Sequence, residues 1–436
     1  MRPAVRLGWV AAFWFAAGCS AGATTQPTAS PIAATALPSQ TATLAPPTAI
    51  PASPTPTVHL LDSPAEVEYA IPPTFQHAWP GAAVVYFELS QATEVAVLVA
   101  EGEGGGWRIA LVSPAETRHL LTLDGLTPGA AYRVAVGVPD GEGSFRQPAF
   151  QGETWGPLRL KVPLEEPVST RLIVIGDSGY GEELTRGMAE AAAALSPDAT
   201  IHTGDLVYLG QQEGSAAAAY GEKFYQALAP LLQSGPMYPV LGNHELDGPV
   251  RAAGIPYYYT SFPPIPELCC EDVVGLERRE WYSVAWGDWQ FVFLNSQAFF
   301  GHGDRAAQDA WLDQRLGDPD FMFTVPVMHV AAFSAGAHVG DGAPLRSSWH
   351  PRFAAAGVPI VLSGHDHNYQ RIVVDGVTYV VSGGGSGVLY RRTMDLAGSV
   401  VFDSRSHFLV VDLSGEGAAV QALASDGTLI EEFAVP

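Results

Sequence analysis

The chain reads as an α/β domain preceded by a smaller all-β module, and three observations lead there. Residues 62–155 hold short apolar runs separated by Gly, Pro, Asp and Ser clusters; after Pro157 strand-like runs alternate with a helical one; and five short motifs rich in Asp, Asn, His and Tyr fall just beyond the ends of those later runs. Strands in a layered α/β protein aim the loops that follow them at a common rim. Motifs far apart in sequence are therefore expected to share one site.

The first 19 residues are not expected to belong to the fold. Arg2 and Arg6 precede the apolar stretch 7–17, which ends in Ala16-Ala17-Gly18-Cys19. A positive start, a short apolar core and small residues before a cleavage point describe a secretory signal, and the core is too short to span a bilayer as a stable helix. Because a cysteine follows the cut, the segment resembles a bacterial lipoprotein signal, with Cys19 as the lipidated first residue of an exported envelope protein. Phe15 and Ala16 depart from that pattern, which has a larger aliphatic residue. The other reading is an ordinary secretion signal with a chance Cys and an extracellular product. Residues 20–58 contain no Asp, Glu, Lys or Arg and are dominated by Thr, Pro, Ala and Ser. Such a stretch has too little apolar bulk to offset its ordering entropy, so 20–61 is read as a disordered linker.

Residues 62–156 follow as short strands: 84–89, 94–100, 107–112, 117–123 and 132–138 are apolar runs at the spacing of a β-sandwich. The run Leu123-Asp124-Gly125-Leu126-Thr127-Pro128-Gly129-Ala130-Ala131-Tyr132 resembles the leucine, Pro-Gly turn and tyrosine of fibronectin type III domains. No residue in this module looks catalytic.

Residues 157–436 form the expected α/β domain. The β-branched run 171–175, the Ala-rich helical stretch 182–195 and the run 199–203 make one strand-helix-strand unit. Further apolar runs end at Leu241, Leu294, Met328 and Leu362, and 376–381 adds another. The insertion 245–282, with Tyr257-Tyr258-Tyr259 and the adjacent Cys269 and Cys270, has weak periodicity. Those cysteines are either a strained vicinal disulfide or two thiols; there is no disulfide framework. Residues 407–436 alternate like two or three antiparallel strands closing the sheet.

The motifs carry the chemistry. In Gly204-Asp205-Leu206-Val207-Tyr208 a carboxylate just past a strand is followed by a phenol, which lets one loop supply a group bridging two metal ions and another favouring ferric iron. Ile175-Gly176-Asp177-Ser178-Gly179, Leu241-Gly242-Asn243-His244-Glu245, Val327-Met328-His329 and Ser363-Gly364-His365-Asp366-His367 offer matching donors. His365 and His367, two apart on an extended loop, can point into one cluster.

Together and in this order, these fragments resemble the calcineurin-like metallophosphoesterases over residues 171–382, which implies an α/β/β/α sandwich. Many of those enzymes carry His two residues after the first Asp, where this chain has Gly179. The presence of Tyr208 in its stead is similar to the purple acid phosphatases, as are Gly364-His365-Asp366-His367-Asn368-Tyr369-Gln370-Arg371 and the fibronectin-like module. The resemblance implies that Asp177, Tyr208 and His367 hold an Fe(III), that Asn243, His329 and His365 hold a divalent Zn, Mn or Fe, and that Asp205 bridges them. It gives His244 a contact to substrate phosphate and His338 a role in binding phosphate or protonating the leaving group, although 330–337 departs from the family pattern. His202, Asp366 and His350 are read as strand interior, loop spacer and surface.

The implied activity is hydrolysis of phosphomonoesters by an exported acid phosphatase. Two ions about 3.5 to 4 Å apart can clamp phosphate oxygens and acidify water. Phosphodiester or nucleotide hydrolysis is the nearest variant, and a non-catalytic surface lipoprotein is the alternative from another class. With 45 acidic against 22 basic residues the net charge is −23, which argues against a nucleic-acid scaffold and leaves a small phosphorylated substrate as the expected partner, beside the membrane reached through the lipid.

Overall fold

The computed structural model describes residues 58–166, 169–208, 215–246, 257–265 and 280–436. The signal, Cys19, the linker up to residue 57, and Cys269-Cys270 lie outside the described residues. Among those described, no helix is long and apolar enough to cross a membrane.

Residues 58–161 hold strands and turns without a helix, but the runs read as separate strands are continuous: 84–89 and 94–100 belong to Ala82–Glu101, and 107–112 and 117–123 to Arg108–Leu123. This all-β part is organised on the 20-residue strand Ala82–Glu101, whose first half pairs with Tyr69–Trp79 and whose second half pairs with Ala131–Pro139, while Arg108–Leu123 runs antiparallel along both. Both faces of this strand are buried, Val85, Phe87, Val97 and Val99 on one and Val84, Tyr86, Ala96 and Leu98 on the other, as in a strand central to its sheet. The sheet begins at His59–Leu61, inside the stretch read as linker: Val58 and Leu60 find apolar cover against Leu98 and Phe145, and the strand pairs parallel with Ser144–Arg146. At its other end Leu158–Lys161 pairs with Ala131–Pro139.

The remainder forms four layers. One sheet runs Met237–Pro239, Ala199–His202, Thr170–Ile175, His407–Ser414, Gly417–Ala424, Leu429–Val435, the first three parallel and the last three the antiparallel closure expected from the C-terminal alternation. The second runs Tyr282–Trp286, Trp289–Leu294, Phe323–Met328, Ile360–Ser363, Val377–Ser382, Tyr369–Val374, Ser399–Asp403. Leu172, Val174 and Ile201 of the first sheet pack with Phe291, Phe293, Val327 and Leu362 of the second in one apolar interior. The opposite faces take helices. Ile173 and Ile175 pack on Met188, Ala189 and Ala192 of Glu183–Ala193 and on Leu228 and Leu231 of Ala227–Leu232, whereas Val292, Leu294 and Met328 pack on Leu312, Leu345, Trp349 and Phe353. Each such aliphatic residue removed from water stabilises the fold by about 1.5–3 kcal/mol. Helix starts follow local chemistry: Ser215 accepts from Ala218 N (3.1 Å) to open Ala216–Tyr220, and Asp304 accepts from Ala307 N (3.0 Å) to open Arg305–Leu316.

The all-β part and the first helical layer share one core. Phe150, Trp155 and Tyr225 meet edge to face with centroids 5.6 to 6.3 Å apart, Trp155 Nε1 donates to Pro73 O at 2.8 Å, and Gln76 Nε2 donates to Ser261 O at 3.2 Å.

Candidate metal centre

Five loops converge at the C-terminal ends of the parallel strands. Thr170–Ile175 leads to Asp177, Ala199–His202 to Asp205 and Tyr208, and Met237–Pro239 to Asn243 and His244; from the second sheet Phe323–Met328 leads to His329 and Ile360–Ser363 to His365 and His367. The two sheets thus present their strand ends to one another. All seven residues expected to hold metal come together here.

They fall into two overlapping groups. In the first, the Tyr208 hydroxyl lies 2.8 Å from His367 Nε2 and 3.4 Å from Asp177 Oδ1, and His367 Nε2 is 3.5 Å from Asp177 Oδ1. In the second, His329 Nε2 lies 2.9 Å from Asn243 Oδ1, 3.2 Å from His365 Nδ1 and 3.4 Å from Asp205 Oδ2. Asp205 sits within donor-atom reach of both groups, the position a bridging carboxylate requires. The rings are oriented from behind: His367 Nδ1 donates to Val388 O (2.8 Å) and His329 Nδ1 donates to Thr203 O (2.9 Å), which leaves each Nε2 facing inward. His365 is turned the other way. Its Nε2 faces Asp341 Oδ2 at 2.9 Å, so Nδ1 faces the cluster.

The backbone is shaped for this convergence. Asp177, Asp205 and His365 have positive φ of 58°, 55° and 71°, a region that Asp, Asn and His enter more readily than other side chains and that clusters at functional sites. Gly242 leaves room that any side chain would fill, since a Cβ there would meet Asp205 Oδ1 at 2.1 Å. At Gly179 a Cβ would meet Val207 Cα at 2.5 Å, and Tyr208 N donates to Gly179 O at 2.9 Å. The two loops are pressed together there, which leaves no room for a side chain at position 179.

Electrostatics follows from burial. Burial and the neighbouring Asp205 push the Asp177 carboxyl well above its usual range, opposed by His329 and the His365 N–H. Burial works against the charge of Asp205 too, but His329, His244 and their hydrogen bonds outweigh it and hold Asp205 below the usual range. His329 itself is pushed up to about 10: burial opposes the charge, and the pull of Asp205 and Asp177 overcomes it. His365 and His367 are lowered to about 4 by burial and the repulsion of His329. The Tyr208 phenol is raised well above 10 by burial and by Asp205 and Asp177.

These facts test whether the residues fit metal ions. With His329 Nδ1 committed to Thr203 O, its Nε2 confronts Asn243 Oδ1, His365 Nδ1 and Asp205 Oδ2, all lone-pair donors, so a positive charge has to sit among them. The protein alone meets this with a proton on His329; a cation meets it at every donor simultaneously. The donor types fit as well, with carboxylate and phenol oxygens on the first side suiting a hard ion and two imidazoles with an amide oxygen on the second suiting a borderline divalent one.

At the mouth, His244 is half-buried with Nε2 4.0 Å from Asp205 Oδ2, and His338 lies over His365 with centroids 4.2 Å apart. Several contributors were not read from the sequence. Asp341 meets His365 and, at 3.3 Å, His338 Nδ1 through the same oxygen. Buried Glu245 accepts from the N–H groups of Leu206 (2.7 Å), Gly242 (2.8 Å), Asp205 and Val207 (both 3.2 Å) and so clamps two loops together. Tyr180 stacks on Tyr208 (4.1 Å, 22°) and Tyr390 on His367 (4.2 Å, 12°). Only Glu245 had a signal, being the last residue of its motif.

The residues set aside also find places. His202 is interior as expected, bonded to Ser178 Oγ at 2.8 Å. Asp366 is more than a spacer: it is buried, bonded to Ser334 Oγ, and accepts from His338 N at 3.0 Å, because a carboxylate inside a loop must be satisfied. His350 is not on the open surface, since Tyr379 Oη at 2.8 Å and Asp375 at 3.0 Å enclose its ring.

Residues 170–369 match the calcineurin-like phosphoesterase family model. Purple acid phosphatase 3 of Arabidopsis thaliana is 28% identical over 246 residues, covering 52% of this chain and 66% of its own length, just under two thirds. Tartrate-resistant acid phosphatase type 5 of Rattus norvegicus is 25% identical over 245 residues, covering 50% and 74%. The purple acid phosphatase PPD1 from yellow lupin (Lupinus luteus) seeds shares the fold with a TM-score of 0.63 at 16% identity, over 83% of this chain and 73% of that one. Residues 170–369 therefore form a calcineurin-like metallophosphoesterase domain, and the chain counts purple acid phosphatases among its homologues.

Proposed function

We propose that the protein is an exported phosphatase that hydrolyses phosphomonoesters at a two-metal centre, with Fe(III) held by Asp177, Tyr208 and His367, a divalent Zn, Mn or Fe held by Asn243, His329 and His365, and Asp205 shared. The observation that carries this reading is the inward convergence of lone-pair donors around His329 and Tyr208 with Asp205 common to both groups. Bound there, the ions supply positive charge for phosphate oxygens and acidify water for in-line attack on phosphorus. His244, half-buried beside Asp205, meets a phosphate oxygen. His338 is held through Nδ1 by Asp341, which leaves Nε2 on the far side of the ring to carry the proton that the departing alcohol needs.

The same proposal extends to the rest of the chain. Cys19 is the lipid-bearing residue of an envelope protein, the all-β part is a fibronectin type III-like module, and the substrate is a small phosphate ester. Mass analysis of the mature N-terminal peptide tests the lipid: an unmodified peptide starting elsewhere rejects it.

The enzyme is tested by metal analysis and by hydrolysis of p-nitrophenyl phosphate beside bis(p-nitrophenyl) phosphate. Two metals per chain and faster monoester cleavage are expected. Faster diester cleavage would make it a phosphodiesterase, and a protein with two metals that cleaves neither would be a binding protein.

A further inference from the structure

We propose that Tyr180 is a positioning residue for the Tyr208 phenol, which it holds as one half of a ring clamp. The inference rests on the reading of Tyr208 as an iron ligand and adds a residue that no motif contains. Two rings bear on Tyr208: the Tyr180 ring lies nearly parallel to it at 4.1 Å (22°), and His244 leans on it at 4.4 Å (53°). Behind the ring, Tyr208 N donates to Gly179 O at 2.9 Å and Lys223 Nζ donates to Tyr208 O at 2.8 Å. Tyr180 follows Asp177 by three residues, on the same loop, and packs edge-on to His367 at 6.2 Å. One loop therefore delivers both a carboxylate to the first group and the plate on which that group's phenol rests.

The physical role follows from what fixes a phenol. Its two side-chain torsions decide where the oxygen points, and the χ2 torsion is soft, so ring orientation has to come from packing. Stacked rings contribute about 0.5–1.5 kcal/mol beyond burial. Tyr180 supplies that near-parallel contact, whereas His244 meets the ring tilted at 53°. Tyr180 is half-exposed, so its replacement leaves the core intact.

The test compares the iron-loaded wild type with Tyr180→Phe and Tyr180→Leu. A phenolate bound to ferric iron colours the protein, so the visible band reports the orientation of Tyr208. Tyr180→Phe keeps the plate and is expected to keep both the band and the iron. Tyr180→Leu fills similar space without a ring face; its band should shift and broaden, and iron should be lost to a chelator with an affinity about tenfold lower, the usual size of effect for a group supporting a ligand. Tyr180→Gln provides the same comparison if the leucine variant does not fold. Non-aromatic variants whose band and iron retention equal those of the wild type would overturn the clamp while leaving the iron-ligand reading standing. A wild type that takes up iron and stays colourless would overturn that reading and the clamp with it.

Discussion

Asp341 shows how much of a site can rest on a single oxygen. Its Oδ2 faces His365 Nε2 at 2.9 Å and His338 Nδ1 at 3.3 Å, so one carboxylate orients two imidazoles together, one of them proposed to face metal and the other substrate. Asp341→Asn should weaken metal retention at the second position about 10- to 100-fold, with activity falling in parallel. Metal titration followed by steady-state kinetics checks this; unchanged retention would remove Asp341 from the site. Residues of this kind were not legible in the sequence. Asp205, Tyr208 and His365 were, because each stands in a short motif directly after an apolar run. Asp341 lies 12 residues past His329 in a loop with no period, and only the fold brings it 24 residues back against His365. Tyr180 and Tyr390 were hidden for the same reason, since a ring contact leaves no fixed spacing behind. The positive φ of Asp177, Asp205 and His365 adds a warning for mutagenesis: alanine there loses the ligand and also enters this backbone region less readily than Asp or His. Asn replacements separate the two effects.

At the level of elements, the loops matter more than the strands that carry them. The loops after Ala199–His202 and Met237–Pro239 are joined by Glu245, which accepts four backbone N–H groups from them; burial and Asp205 push its carboxyl up, and His329 and those bonds oppose the shift. Glu245→Gln puts an NH2 group among donors that then lose their acceptor. The expected cost is about 1–3 kcal/mol of stability, read by urea denaturation, with Asp205 displaced and metal content reduced. A variant with normal stability and full metal would show the clamp to be dispensable. The strands Thr170–Ile175 and Ala199–His202, the Glu183–Ala193 helix and the antiparallel closure were visible as periodicity, whereas Tyr69–Trp79, Tyr369–Val374 and Ser399–Asp403 were not singled out. The start of the first sheet at His59 was not, because three residues next to a charge-free stretch carry too little pattern.

For the whole molecule, pH is a global variable through two fully buried imidazoles. His407 is lowered to about 4 and His202 to about 3, both by burial. At neutral pH these rings are uncharged whether the chain is folded or not. Below the ordinary histidine value of 6.5 the unfolded chain takes up protons that the folded one refuses, so stability falls with pH until the folded values are reached. Each group contributes about 1.4 kcal/mol per pH unit across that window. Metal-free protein should therefore lose melting temperature between about pH 6.5 and 4, and His407→Gln should flatten the slope; a flat profile in the parent would contradict the assignment. Bound metal, by favouring the folded form, offsets the loss.

The seam between the all-β part and the first helical layer also constrains how such a chain can be inherited. Phe150 and Trp155 interlock with Tyr225, and Gln76 is fastened to Ser261. The facing surfaces are therefore matched to one another, ring for ring. Recombination that joined this phosphoesterase domain to another relative's β module would bring together two faces without a shared history. Such chimeras would carry cavities where rings should meet, so the two segments should descend as a pair, with changes on one face answered by changes on the other.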